Sequence, residues 1–404
     1  MRNTLSPDMK YAISRVATVA VILAHGLSAQ YANAETKVGA DVSLSTSYYD
    51  RGNAAATNAR PNGFSVVADV APHISIVGPV STWTISGGIR HDQYISHSDE
   101  TTDYRANIGY RGKWDARTEA HFAGSYNRSY LANVFSRPGL IVGNDPNLPP
   151  VIDPTLAFDE ADTVTSFGAE GGISHALSAR DNVGVSASYR GNRHKDATLR
   201  EYDTYSGGLN YSRTLNERMT IGVAGQVTKT QYLGTSLGDT TSYSPQATLQ
   251  YRINAYWKLD ASAGMSFQRY RSTTGTRNSS GFQGSATLCR STERSNLCAV
   301  GQYGYAPSSI NGAARTLTAG ANYSYTLSPR TSISAFMTYS RSDEIDPLID
   351  NKVEYMSVGG RVNRKLTERI SAFVSASYGN VKDDLISRPS TIVADVGIKI
   401  ALGQ

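Results

Sequence analysis

Tyr202-Asp-Thr-Tyr-Ser-Gly-Gly-Leu-Asn-Tyr-Ser-Arg-Thr-Leu-Asn-Glu-Arg-Met-Thr-Ile-Gly-Val-Ala-Gly-Gln-Val-Thr-Lys-Thr-Gln-Tyr232 reads as two alternating arms about a polar turn. On the first arm Tyr205, Leu209, Tyr211 and Leu215 alternate with Ser206, Gly208, Asn210, Ser212 and Thr214. On the second, Ile221, Val223 and Val227 alternate with Gly222, Ala224, Gln226 and Thr228. A period of two places one set on each face of a strand. Asn216, Glu217 and Arg218 form a tight turn between the arms, which makes the unit a β-hairpin. Its polar face is too small and too hydroxylated for a domain core, and its apolar face ends in tyrosines at both rims. That pattern belongs to a strand with lipid on one side and water on the other.

The unit recurs along the chain. Its marker is an apolar residue, a polar turn and a new alternating run: Leu177-Ser-Ala-Arg-Asp, Leu215-Asn-Glu-Arg, Leu327-Ser-Pro-Arg and Leu366-Thr-Glu-Arg, with looser copies at Trp114-Asp-Ala-Arg and Ile253-Asn-Ala-Tyr. Even pacing of this kind is expected of an up-and-down barrel. The interval from Ile253 to Leu327 is about double the others and contains both cysteines. Alternating segments run from Lys37–Tyr49 to Pro389–Leu402, with Trp257–Arg271 followed next by Thr316–Leu327, and number about sixteen. An even count lets both termini sit on the periplasmic side. The connections at Gly78–Ser81, Asp115–Arg117, Ser178–Asp181, Asn216–Arg218, Ser328–Arg330 and Thr367–Glu368 are short, and the alternate ones are longer. The longest outer loops are read at about 132–162 and 272–315. The predicted fold is therefore all-β, a transmembrane antiparallel up-and-down β-barrel. A soluble β-sandwich would need apolar faces turned inward, with fewer glycines and less tyrosine at the rims.

Composition agrees with this reading. The 404 residues hold 39 Lys+Arg against 34 Asp+Glu, are 40% hydrophobic, and are rich in glycine (36) and tyrosine (25). A mean hydropathy of −0.34 looks soluble, yet a barrel hides from hydropathy because every other residue faces water. No apolar run long enough for a helical span lies beyond the N-terminus, which excludes a helical membrane protein. Residues 1–34 read as a signal peptide: Arg2, Lys10 and Arg15 form a basic leader, Val16 to Leu27 an apolar segment, and Ala32-Asn33-Ala34 a small-x-small cleavage site. Residues 35–404 would then be the barrel, placed in the outer membrane after cleavage.

On the last strand Ile392, Ala394, Val396, Ile398, Ile400 and Leu402 would face lipid, and Asp395 and Lys399 the lumen. A charge in hydrocarbon costs a few kcal/mol, so the register is fixed. The same rule puts Arg90, Arg105, Arg111, Lys113, Arg190, Arg252, Lys258, Arg361, Lys365 and Lys399 on the inner wall, with Asp41, Asp69, Glu119, Glu170, Asp260 and Asp395. A net-positive wall favours anions or acidic sugars, although charges on neighbouring strands can also pair with each other. In the 132–162 loop Asp145, Asp153, Asp159 and Glu160 could fold inward and narrow the pore, or pack over the mouth. Cys289 and Cys298 are expected to form one disulfide in an oxidising compartment, stapling the 272–315 loop as an external lid or contact surface. Two thiols without a nearby histidine rarely make a metal site. His73, His91, His97, His121, His175 and His194 are scattered, and no hydrolase, metalloprotease or phosphate-loop motif occurs. No enzyme activity, cofactor or nucleic-acid partner is indicated.

With these features in view, the chain resembles the β-barrel porin 2 family of Gram-negative outer-membrane proteins. The residues that carry the resemblance are the Leu-Ser/Thr/Asn-x-Arg turns after Tyr-rich arms and the run Arg388-Pro-Ser-Thr-Ile-Val-Ala-Asp-Val-Gly-Ile-Lys-Ile400. The resemblance implies a link to exopolysaccharide production and export, and so polysaccharide and periplasmic export components as partners beside outer-membrane lipid. It supplies no catalytic residues. Barrels of this kind usually finish on an aromatic residue, whereas this chain ends Ala401-Leu402-Gly403-Gln404, so recognition by the outer-membrane assembly machinery would fall to Leu402. The expected function is a passive aqueous channel. The alternatives are a general small-solute porin, or a plugged structural or adhesive barrel without transport.

Overall fold

A computed structural model describes residues 34–50, 63–95, 100–130, 163–195, 201–233, 239–272, 275–308, 312–344, 352–383 and 390–403. The segment read as signal peptide (1–34), apart from its last residue, and the constriction loop, including Asp145, Asp153, Asp159 and Glu160, lie outside the described residues.

The chain forms β1 (Glu35–Asp50), β2 (Gly63–Val77), β3 (Ser81–Tyr94), β4 (Glu100–Lys113), β5 (Thr118–Tyr130) and β6 (Thr163–Ala176). It continues with β7 (Asp181–His194), β8 (Tyr202–Asn216), β9 (Met219–Tyr232), β10 (Thr240–Arg252), β11 (Trp257–Ser272) and β12 (Gly275–Ser291). The last strands are β13 (Ser295–Ser308), β14 (Gly312–Ser328), β15 (Thr331–Glu344), β16 (Lys352–Lys365), β17 (Ile370–Asp383) and β18 (Thr391–Leu402). Each strand pairs antiparallel with its neighbours in sequence, and β18 pairs with β1 from Ala40↔Leu402 to Asp50↔Ile392, so the sheet closes on itself. Closure follows from the pattern: every strand carries an apolar outward face that no second sheet covers, and an open sheet would leave two bare edges. The register offsets accumulate to a shear of about 22 residues, which gives a strand tilt of about 40° and a wall roughly 35–40 Å across.

The strand count corrects the sequence reading. Among the described residues there are eighteen strands, not about sixteen, and the additional pair, β12 and β13, occupies the segment read as the 272–315 outer loop. The alternation is weak there for a physical reason. The outward face of β12 begins with Thr276, Asn278 and Ser280 and becomes apolar only from Phe282 onward, while β13 carries Val300 on its inward face.

One rim bears the short turns, here called the turn rim; the other carries the connections that include 131–162, here called the loop rim. Turn chemistry explains the repeat marker. The polar residue after the apolar one caps the turn with its side-chain oxygen. Asp115 Oδ1 accepts from the amides of Arg117 (2.6 Å) and Thr118 (2.8 Å). Asn216 accepts from Arg218 (2.9 Å), Asn254 from Tyr256 (2.9 Å) and Trp257 (3.0 Å), and Thr367 from Ile370 (3.0 Å). These are Asx- and ST-turns, which Asp, Asn, Ser and Thr make and other side chains do not. The β8–β9 turn is tighter than the sequence suggests, because Asn216 pairs with Met219 after a bulge at Thr214/Asn216.

On the convex face large apolar side chains are exposed on most strands, among them Leu44, Leu209, Val223, Met337, Val374 and Val396. Aromatic pairs border this belt. Trp83 and Tyr110 (4.6 Å between rings) lie near the turn rim; Tyr48 and Phe64 (5.1 Å) and Tyr189 and Tyr205 (5.1 Å) lie near the loop rim. An exposed apolar belt between two aromatic bands is the surface of a membrane-spanning barrel.

Candidate functional site

The candidate site is the concave face. Register and alternation place Arg90, Arg105, Arg111, Arg190, Arg252, Lys258, Asp260, Arg361, Lys399, Asp395 and Glu170 on it. They are not spread evenly round the ring, as a uniformly charged wall would require. Two unlike arcs face each other.

The first arc runs from β16 through β18 and β1 to β7. Arg90 grips Asp92 along β3 through Nε–Oδ2 at 3.0 Å and Nη2–Oδ1 at 3.1 Å, with Arg90 9% and Asp92 0% exposed. Arg105 Nη2 donates to Asp69 Oδ1 at 2.9 Å across the β2–β4 strip, and Lys399 Nζ lies 2.9 Å from Asp41 Oδ2 across the β18–β1 seam. Asp103, the register partner of Arg90, accepts the Tyr130 amide at 2.8 Å. Asp395 accepts from Ser375 (3.1 Å) and from Ser47. Arg361 lies over the Phe373 ring (3.9 Å to its centroid) and donates to Asn363 at 2.9 Å. Asp92 and Asp103 were not singled out from sequence. Asp92 was legible, since a carboxylate two residues from an inward arginine shares its face.

The second arc, β8 to β15, carries no charged side chain across its middle. Its inward residues are hydroxyls and amides that meet across the seams. Thr204 pairs with Thr230 (3.2 Å), Ser206 with Thr228 (3.1 Å), Ser244 with Ser266 (3.3 Å), Ser262 with Ser285 (2.9 Å) and Thr318 with Ser340 (3.2 Å). Each of these oxygens keeps lone pairs for a further partner. Lys258 and Asp260, 2.9 Å apart, stand on this arc only beside the turn rim.

Depth adds a second asymmetry. Inward side chains in the third of the wall nearest the loop rim are buried on strand after strand, including Ser47, Ser65, Asp92, Ser266, Ser340 and Ser357. Near the turn rim the inward Arg111, Arg252 and Lys365 are exposed and make no ion pair among the described residues, whereas Lys113 reaches Glu119 at 3.9 Å. Together they give that mouth a basic collar. Arg190 also makes no ion pair among the described residues.

Cys289 and Cys298 are register partners and form a disulfide. The bond faces inward on β12 and β13, close to the turn at 292–294, rather than on an external lid as expected from sequence. It holds the wall itself. Among the described residues no group of three His, Cys, Asp or Glu side chains is placed to hold a metal ion. The described histidines stay apart: His91 meets Thr102 (3.0 Å) and His175 meets Thr118 (2.9 Å), both on the outward face, while His73 and His121 lie inward against Gly39 and Gly172.

No family model matches the sequence, and no curated protein does. Among solved structures, a BenF-like porin from Pseudomonas fluorescens Pf-5 is similar at 10% identity and a TM-score of 0.48, with 93% of this chain and 100% of that one covered. OccK2 (OpdF) from Pseudomonas aeruginosa, in complex with glucuronate, is similar at 10% identity and a TM-score of 0.46, over 91% of this chain and 98% of that one. The outer membrane protein opdK from Pseudomonas aeruginosa is similar at 9% identity and a TM-score of 0.46, over 90% and 99%.

Proposed function

We propose that the chain is a passive channel of the Gram-negative outer membrane, with its turn rim in the periplasm and hydrophilic solutes moving between the two arcs of its wall. The observation that carries this reading is the concave face: a belt of seam-paired hydroxyls with lone pairs to spare, opposite a ladder of charges, suits water and would be wasted against lipid. A barrel of this strand number leaves an aqueous interior.

Within this reading the solute is an acidic carbohydrate, in line with the resemblance to exopolysaccharide-associated barrels. The basic collar of Arg111, Arg252 and Lys365 would gather anions at the periplasmic mouth, which suits export. The hydroxyl arc would hydrogen-bond sugar hydroxyls, and Arg190 and Arg361 would meet carboxylates on the way. Paired charges such as Lys399–Asp41 set local fields of both signs and cancel at a distance.

The test is liposome swelling with neutral and uronic oligosaccharides of equal length, alongside planar-bilayer conductance. Faster entry of the uronic sugars supports the carbohydrate reading, and equal entry favours a general small-solute porin. The burial of inward side chains in the loop-rim third favours a second reading, a plugged barrel, for which neither swelling nor conductance would be seen.

A further inference from the structure

The outward surface at β10–β12 carries features that transport through the lumen does not use. β12 pairs with β11 along its whole length, from Trp257↔Arg290 to Ser272↔Gly275. Its ladder to β13 runs from Gly284↔Tyr303 to Ser291↔Asn296 and goes no further, so the loop-rim half of β12 is paired on one side. Beside this half-seam Tyr243, Phe267, Arg269, Asn278 and Ser280, all on the outward face, line a cavity of about 390 Å³ together with Gln268 and Ser279 between them. Tyr243 and Phe267 belong to the aromatic band near the loop rim and are half exposed.

Arg269 and Arg271 follow Phe267 at two and four residues, so they share its outward face and rise past the aromatic band. Both are exposed, and neither makes an ion pair among the described residues. Several other outward cations at this rim are partnered, Arg193 with Asp203 (2.7 Å), Lys229 with Asp239 (3.2 Å), Arg341 with Asp343 (3.0 Å) and Lys352 with Glu354 (2.6 Å), while Arg128 and Lys382, which make no ion pair among the described residues, line no such cavity. One guanidinium on the cavity lining, Arg269, a second two residues further along the same face, Arg271, and aromatic rings, an amide and a hydroxyl beside them match a phosphate carried on an acyl chain. The guanidinium fork fits phosphate oxygens, and aromatic rings sit where head group meets hydrocarbon.

We propose that this cavity binds the phosphorylated head group of a lipid in the outer leaflet. Arg269 and Arg271 hold the phosphate, Asn278 and Ser280 hydrogen-bond the head group, and Tyr243 and Phe267 pack on the first methylenes. The site rests on the barrel standing in a membrane with its loop rim outward, and is independent of whether the lumen conducts.

The experiment is native mass spectrometry of the full-length protein in detergent, offered bis-phosphorylated lipid A or its dephosphorylated form. Correct folding of each sample is checked by its heat-shifted gel migration. The native protein should retain the phosphorylated lipid in preference, and the double variant Arg269→Gln/Arg271→Gln should lose on the order of tenfold or more of that retention. Arg341→Gln, at a partnered cation of the same rim, should leave it unchanged. Equal retention by native protein and double variant, or of both lipid forms, overturns the proposal. Displacement of the lipid by inorganic phosphate at millimolar concentration also overturns it, since the cavity would then be a site for free anions. The double variant should conduct as the native protein does; absence of conductance in both would remove the channel reading and leave the lipid site standing.

Discussion

Arg90 and Asp92 face the lumen two residues apart on one strand, close enough for two hydrogen bonds and almost without access to water. A guanidinium buried without a carboxylate is far costlier than the pair, so Asp92→Ala is expected to destabilise the barrel by about 3–5 kcal/mol. Urea unfolding of the refolded variant measures this. At the turn rim Asp115 plays a different part. The amides of Arg117 and Thr118 and the Thr118 hydroxyl point at its carboxylate, which holds its pKa below the usual carboxylate value. A carboxyl depressed in the folded state contributes stability above its unfolded pKa of about 3.9 and loses it as pH falls through the lower folded value. The native protein should therefore exceed Asp115→Asn in stability near neutral pH, with the difference vanishing in acid. A difference that persists below the folded pKa would contradict this role.

At the scale of elements, the β12–β13 hairpin separates what the sequence discloses from what it conceals. Alternation assigns the named wall charges, such as Arg90, Arg361 and Lys399, to the inward side, because a charge in lipid carries a large penalty. It failed for β12, whose loop-rim half stands beyond the apolar belt and carries Asn278 and Ser280 outward. The repeat would have recovered it. The double interval between Ile253 and Leu327 has at its middle Ser291-Thr-Glu-Arg, the same turn as Leu366-Thr-Glu-Arg, and Thr292 caps it by accepting the Ser295 amide at 3.0 Å. The same hairpin has a short ladder to its partner, and the Cys289–Cys298 bond lies within that ladder. Reduction, or Cys289→Ser with Cys298→Ser, is expected to lower stability by roughly 2–3 kcal/mol, as for a loop of this length. Conductance should be unchanged, because the bond constrains the wall and not the solute. Comparing urea midpoints with and without reductant checks the first point, and bilayer recordings check the second.

For the whole molecule, the division of the wall into two arcs depends on which strands become neighbours once the sheet has closed. A tally of inward charges along the chain shows a basic excess but not that the middle of β8–β15 contributes none of it. Nor does the tally distinguish Lys399, held by Asp41, from Arg111, Arg252 and Lys365, which make no ion pair among the described residues. Those three should set ion preference. Their combined replacement, Arg111→Gln with Arg252→Gln and Lys365→Gln, is expected to move the reversal potential toward cations, by an amount that shrinks as ionic strength rises. Burial in the loop-rim third could not be read from alternation either, because it depends on what meets across the interior rather than along a strand.

Planar-bilayer recording of the native protein in a salt gradient bears on all of this at once. Stepwise ion conductance with a reversal potential showing mild anion preference is the expected result. A membrane that stays silent after verified insertion would contradict the water-filled lumen, and a cation-selective current would contradict the assignment of the unpaired arginines and lysine to its inner mouth.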